Sequence, residues 1–190
     1  MRVRFTRRTC QMIAVLTTTA ATSACGELVS GAPEDSTPAS RVLAAPRANV
    51  ADYEFQTWIA DGPLQRAPGT STFDTTDGTI TCHWIESPPP KDRVVCQLRN
   101  RVRPAPPAPP DCDTTSLSWA TVYVSVDATG PTDGLCTGGI QVPFRGSVLP
   151  EGTALVAGYF GCLPEAAGVT CVHLPTGRGF TVSATDLRMF

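Results

Sequence analysis

Three sets of residues in this sequence could do chemistry. The first is sulfur: Cys82, Cys96, Cys112, Cys136, Cys162 and Cys171. In an exported domain of about 120 residues, six cysteines read as three disulfides, drawn from fifteen possible pairings. Local pairing, Cys82 with Cys96, Cys112 with Cys136 and Cys162 with Cys171, is the expectation, because two of those pairs lie across adjacent strand candidates. The second set is acid and base. His83 sits beside Cys82 and His173 follows Cys171 by two positions; packed together, the two imidazoles would supply half of a metal site. No third or fourth ligand is evident and the neighbouring cysteines are better explained as oxidised. No metal or cofactor is therefore expected, and solvent-exposed strand histidines are the default. Ser183, His173 and Asp186 can be written as nucleophile, base and orienting acid, and Asp74 with Asp77 as a carboxylate pair. There is no G-x-S-x-G, however, and the aspartates fall in a turn, where Asp is favoured for its local hydrogen bonds. Thr176 to Phe180 (TGRGF) lacks the strand, helix and lysine of a phosphate loop. No catalytic residue is expected. The third set is basic: Arg93, Arg99, Arg101 and Arg103. Alternate spacing puts Arg99, Arg101 and Arg103 on one strand face, suited to a carboxylate-rich or phosphate-rich wall polymer; the plain alternative is a charged edge strand kept from aggregating.

The compartment follows from the N-terminus. Residues 1–24 read as a signal peptide: Arg2, Arg4, Arg7 and Arg8, then a short apolar stretch from Met12 to Leu16, then small residues. That stretch is too short and too rich in threonine to remain as a membrane span. At its end, Thr22-Ser23-Ala24-Cys25-Gly26 resembles a bacterial lipobox, in which the cysteine is acylated and becomes the new N-terminus; Thr22 stands where the pattern prefers leucine. Cys25 is the expected lipidation site and the cell membrane the expected partner through that lipid, with simple secretion as the alternative. Residues 1–24 carry four arginines and no acid, so the remainder holds 11 basic against 17 acidic residues, a net charge near −6. Such a balance argues against nucleic acid or anionic lipid as the main partner.

The elements that must position these groups come next. Residues 25–50, rich in Ala, Pro, Ser and Gly without a sustained hydrophobic period, read as a lipid-anchored flexible linker. Extended, it would hold a domain up to about 80 Å from its anchor. Residues 51–72 are a lead-in segment, amphipathic turn or strand, and residues 73–190 the six-cysteine β domain. In that domain Asp77-Gly78 reads as a turn, and Thr79 to Ile85 and Arg93 to Leu98 as strands joined by the loop ESPPPKD. Leu117 to Val126 is the longest strand, with Ser118, Ala120, Val122, Val124 and Val126 inward. Cys136 to Phe144 reads as another, Tyr159 to Leu163 and Val169 to Leu174 as a hairpin ending on Gly168, and Phe180 to Ser183 as a last strand. Ser183 then caps a turn and Phe190 folds back as an apolar plug. Gly78-Thr79-Ile80-Thr81-Cys82 and Gly168-Val169-Thr170-Cys171 are alike enough to suggest a duplicated unit. Arg103 to Asp111 carries five prolines and must run extended as polyproline II, as a ligand for a proline-recognition module or as a stiff connector between sheet edges. About seven short strands, no helix beyond two turns, and Gly or Pro at nearly every junction imply an all-β fold. The expectation is a small disulfide-stapled domain of antiparallel strands, a sandwich or a partly open barrel.

From Phe73 to Phe190 the chain resembles a six-cysteine envelope domain of actinobacteria. The most specific part is C-terminal: Phe160, Cys162, Gly168, Val169, Thr170, Cys171, Thr176, Gly177, Gly179, Phe180, Ser183 and Phe190. Members are short exported proteins or lipoproteins with no assigned function. The resemblance implies the domain limits and the disulfides and brings no catalytic residues; the loop holding Pro88 to Pro90 is longer here, and the residues around Cys136 fit loosely. The function expected is that of a non-catalytic cell-envelope lipoprotein binding another envelope protein or a wall polymer. The alternative is a secreted inhibitor or modulator of an extracellular enzyme that presents ESPPPKD as a rigid loop.

Overall fold

In the computed structural model, which describes residues 36–85, 92–112 and 116–190, the strand candidates resolve into two facing sheets. In chain order the elements are α1 (Pro38–Ala44), a 3-10 turn (Val50–Tyr53), β1 (Phe55–Thr57), β2 (Gln65–Arg66), β3 (Thr72–Asp74), β4 (Ile80–Ile85), β5 (Arg93–Leu98), β6 (Ser118–Asp127), β7 (Gly130–Thr137), β8 (Arg145–Val148), β9 (Leu155–Ala157), β10 (Phe160–Glu165), β11 (Gly168–His173), β12 (Arg178–Val182) and β13 (Leu187–Met189). The larger sheet is ordered β2-β1-β8-β3-β4-β5-β6-β7 and the smaller β13-β12-β11-β10-β9. The fold is all-β, a two-sheet sandwich. Among the described residues thirteen strands replace about seven, because many are too short to show a period, and one strand pair, β3 with β8, is parallel. The signal peptide, Cys25 and most of the ESPPPKD loop lie outside the described residues.

Strand parity builds the core. Ile80, Cys82 and Trp84 on β4 and Val94, Cys96 and Leu98 on β5 turn inward, where they meet Phe160, Cys162, Val169, Cys171, Phe180 and Val182 from the smaller sheet. Each such side chain contributes about 1.5–3 kcal/mol by leaving water. Cys82 lies opposite Cys96 and Cys162 opposite Cys171, and both pairs are bonded, as are Cys112 and Cys136. The two cross-strand disulfides meet at the centre of the sandwich, Cys96 Sγ lying 3.8 Å from Cys171 Sγ. No disulfide joins one sheet to the other. Cys82 is bonded to the following strand and Cys171 to the preceding one, so the two glycine-to-cysteine segments are not copies of one stapled hairpin. The hairpin turn needs its glycine: Gly168 has φ 133°, and a Cβ there would sit 2.0 Å from the Val182 carbonyl oxygen.

Three expectations change. Residues 36–50, expected in the linker, belong to the fold. Thr37 caps α1 by accepting from the Ser40 amide, Pro38 opens the helix, and Val42 is fully buried among Leu163, Val172 and Ala154 with Phe190 beside them. Seven helical residues with one buried apolar position carry no readable period. The lead-in segment is ordered too, Tyr53 reaching the inter-sheet core. On β6, a bulge between Ala120 and Val124 flips the alternation, so Val122 is exposed while Tyr123 joins Ala120 on the outer face with Val95, Leu135 and Val142. Finally, Cys136 to Phe144 is not one strand. β7 ends at Thr137, and the chain then leaves the sheet through Gly138-Gly139 and drops Val142 onto that outer cluster.

Candidate functional site

The arginines expected to form an anionic-polymer site do not share a strand face. β5 ends at Leu98 and the chain turns at Arg99 and Asn100. Arg101 and Arg103 both close on one carboxylate: the Arg101 Nη atoms lie 2.9 and 3.1 Å from the Asp133 oxygens, and the Arg103 Nη atoms 2.5 and 2.8 Å. Both guanidinium side chains are under a tenth exposed. Burial alone would raise the Asp133 carboxyl, but the hydrogen bonds from Arg103 and Arg101 outweigh it and hold the group below the usual carboxylate range. Arg101 also donates to the carbonyls of Arg103, Pro104 and Thr121. Arg99 alone keeps an accessible charge, with its Nη2 donating to Thr81 Oγ1 and the Phe144 carbonyl and lying 3.8 Å from Asp74. The three arginines are therefore fold-internal or single contacts rather than a patch, because the turn after Leu98 ends the alternation their spacing assumed.

The histidines are buried, not exposed. His83 faces outward from the larger sheet but is covered: its Nδ1 lies 2.8 Å from Thr72 Oγ1, which bonds Gln56 Oε1, and the Trp58 ring stands edge-on to it at 5.8 Å. Burial pushes its pKa down to about 4. His173 lies on the inner face of β11, its Nδ1 2.9 Å from Thr176 Oγ1 and its ring beside Phe160. Opposite faces of the larger sheet thus separate the two imidazoles. Ser183 is no partner for His173 either, since β12 places it opposite Gly168, at the far end of β11, roughly 17 Å away at 3.3 Å per residue. Its Oγ instead accepts from the amides of Thr185 and Asp186. Asp74 is held inside by Thr81 Oγ1 and the Gly146 amide, with burial the stronger effect and its carboxyl pushed up. Asp77 caps its own turn through Thr75 and Thr79, and the Thr75 hydroxyl leads the bonds that hold its carboxyl low. The sulfur atoms of Cys82, Cys96 and Cys171 converge within 4.8 Å, but as disulfides they offer no thiolate to a metal.

Two cavities open at opposite ends of β4. One, about 510 Å³, is walled by Asp77, Thr79, Thr181, Ser183, Thr185 and Asp186. Its polar groups are largely engaged with one another or with their own turns: Asp77 and Ser183 as above, and Thr181 with Thr170 Oγ1. The other, about 330 Å³, lies where the end of β4 and the start of β5 meet the β9–β10 turn, walled by Trp84, Ile85, Asp92, Arg93, Tyr159 and Phe160. Here the chemistry is unfinished. Among the described residues the Trp84 indole Nε1, the Arg93 Nε and the Arg103 Nε are buried without a hydrogen-bond partner, and the first two belong to residues that wall this cavity; such a group costs about 1–3 kcal/mol. Native interiors satisfy nearly all buried donors, so the smaller cavity is the candidate site. An acceptor brought to these donors would satisfy them, and Ile85, Phe160 and the exposed Tyr159 offer apolar wall. Nothing in the sequence marked Trp84 beyond its place in the strand Thr79 to Ile85, and the unmet donor shows only when its surroundings are placed.

No known family profile matches the chain, and neither a curated protein nor a solved structure is similar to it. The resemblance to six-cysteine envelope domains therefore rests on the residues set out above.

Proposed function

We propose that the protein is an exported, non-catalytic binding domain of the cell envelope, tethered through a lipid on Cys25, and that the cavity beside Trp84 takes an apolar group bearing a hydrogen-bond acceptor. The observation that carries the reading is a mainly apolar cavity beside a buried donor that meets no acceptor among the described residues. Three disulfides support an oxidising compartment. The envelope partner is engaged through its apolar group rather than by ionic capture, since Arg101 and Arg103 are committed to Asp133.

The test is a titration of the oxidised full chain with acetophenone and with ethylbenzene, two molecules of similar size of which only the first carries an acceptor. The reading predicts tighter binding of acetophenone, a downfield shift of the Trp84 indole proton, and loss of the preference in Trp84→Phe. It fails if neither compound moves that resonance, or if the preference survives the substitution. The tether is tested separately by metabolic labelling with palmitate, which Cys25→Ala must abolish.

A further inference from the structure

The chain between β5 and β6 does more than connect them. These strands are antiparallel neighbours, with Gln97 opposite Tyr123, so a short turn would join them. Residues 99–112 instead run along the domain, tied to it at Arg103, Pro106 and Cys112. They do not carry the chain from one sheet edge to another, as a stiff connector would. Within this excursion exposure repeats every three residues: Arg103, Pro106 and Pro109 are half-buried, while Pro104, Ala105, Pro107, Ala108, Pro110 and Asp111 are exposed. Three residues is the repeat of the polyproline II helix. One of its three edges is thus laid on the domain and two stand in solvent.

The inner edge is fastened along its length. Arg103 is locked on Asp133, and Arg101 Nη2 donates to the Pro104 carbonyl at 2.6 Å. The Trp119 indole Nε1 donates to the Pro106 carbonyl at 3.0 Å, and the Cys112–Cys136 disulfide anchors the far end. Trp119 reaches its proline by lying across bare backbone at Gly134, which has φ 89° and where a Cβ would come within 2.2 Å of the indole. Flanking the rod, Val102 is 73% exposed and Leu117 38%.

We propose that residues 104–111 are a preassembled polyproline ligand, and that the edges Pro104, Pro107, Pro110 and Ala105, Ala108 dock into an aromatic-lined groove of a partner protein. A groove gripping a three-edged helix from one side meets two edges, and the third is the one this domain holds. Recognition of this kind uses aromatic walls and donors to proline carbonyls; the Trp119 to Pro106 bond is that contact made within the chain. Ordering the ligand in advance removes a cost that a free peptide meets on binding. The surface shares no residue with the Trp84 cavity and stands independently of it.

The experiment titrates the ¹⁵N-labelled, oxidised full chain with two aromatic-grooved probes, a WW domain and an SH3 domain. With at least one of them, amide shifts are expected at Val102, Arg103, Ala105, Ala108, Asp111 and Cys112, with affinity at least tenfold above that of a free peptide of residues 102–112. Pro104→Ala/Pro107→Ala/Pro110→Ala should lose tenfold or more. Gly134→Ala, which displaces Trp119 without touching an outward edge, should fall to the affinity of the free peptide. Should Gly134→Ala fail to fold, Trp119→Phe removes the indole N–H that holds Pro106, along with part of the ring lying over Gly134, and should lose several-fold. The proposal is overturned if neither probe binds, if the shifts map elsewhere, if the triple variant binds like the parent, or if the free peptide binds as well as the domain.

Discussion

Replacing Asp133 with Asn tests whether Arg101 and Arg103 belong to the fold or to a ligand site. The substitution keeps the shape and one acceptor oxygen but deletes the charge that faces two guanidinium groups, whose side chains are 6% and 9% exposed. Water has little access to replace it. Removing one partner of a buried ion pair costs about 3–5 kcal/mol, because the remaining charge stays buried without its counterion. For a domain of this size each kcal/mol lowers the thermal midpoint by about 2–4 °C, so a fall of roughly 6–20 °C is expected. Urea unfolding followed by tryptophan fluorescence, with the disulfides intact, gives the free energy, and calorimetry the midpoint. Adding Arg103→Met to Asp133→Asn should recover part of the loss, since one uncompensated charge is then gone. A cost below about 1 kcal/mol, the range of solvated surface pairs, would refute the reasoning and return both arginines to the surface as candidates for an anionic partner.

Acidification should weaken the fold through His83. The unfolded chain binds its proton near pH 6.5 whereas the buried ring resists to about 4, so between those values the unfolded state holds more protons and stability falls as pH falls. The window corresponds to about 3 kcal/mol, absent above pH 6.5, at about 1.4 kcal/mol per pH unit; His83→Gln should flatten this slope in urea midpoints taken from pH 7.5 to 4, and an unchanged slope would exclude His83 as its source. Gly168→Ala meets both a positive φ and the Val182 carbonyl and should cost about 2–4 kcal/mol, with loss of the Val169–Val182 pairing seen by hydrogen exchange. Val42→Ala removes the one fully buried side chain of α1 and should cost about 2 kcal/mol. Its amide exchange should rise in residues 38–44 while β10 and β11 stay protected.

Much of the domain was legible because its signals are local. The β4, β5, β10 and β11 strands announce themselves by alternation, and opposed cysteines on their arms make the pairing of Cys82 with Cys96 and Cys162 with Cys171 the natural one. Failures came where a distant residue decides. Asp133 lies 30 positions after Arg103, and no periodicity links them, so three alternate arginines looked like a free face. The β6 bulge inverts parity within a strand whose pattern looked regular, and α1 is held by one valine. His83 and His173 took the default for strand histidines, while Trp58, Thr72 and Phe160, which bury them, come from other strands and turns. Trp84 illustrates the deepest limit: a residue type can suggest that it is buried, but an unmet donor is a property of everything around it.

The placement of the sulfur bridges has a mechanical consequence. Each staple stiffens a single sheet or its edge loop, so the molecule is two separately riveted plates held together by side-chain packing, by hydrogen bonds such as Val102 N–H to the Ala184 carbonyl and Arg178 to the Thr129 carbonyl, and by two backbone straps, one from α1 into β1 and one from β8 into β9. Shear between β4 and β5, or between β10 and β11, works against a covalent bond. Opening the plates works against non-covalent contacts such as that between Cys96 and Cys171 and the Val102–Ala184 hydrogen bond. A domain of this design, pulled apart, is expected to part between its plates before the crosslinked hairpins β4–β5 and β10–β11 yield.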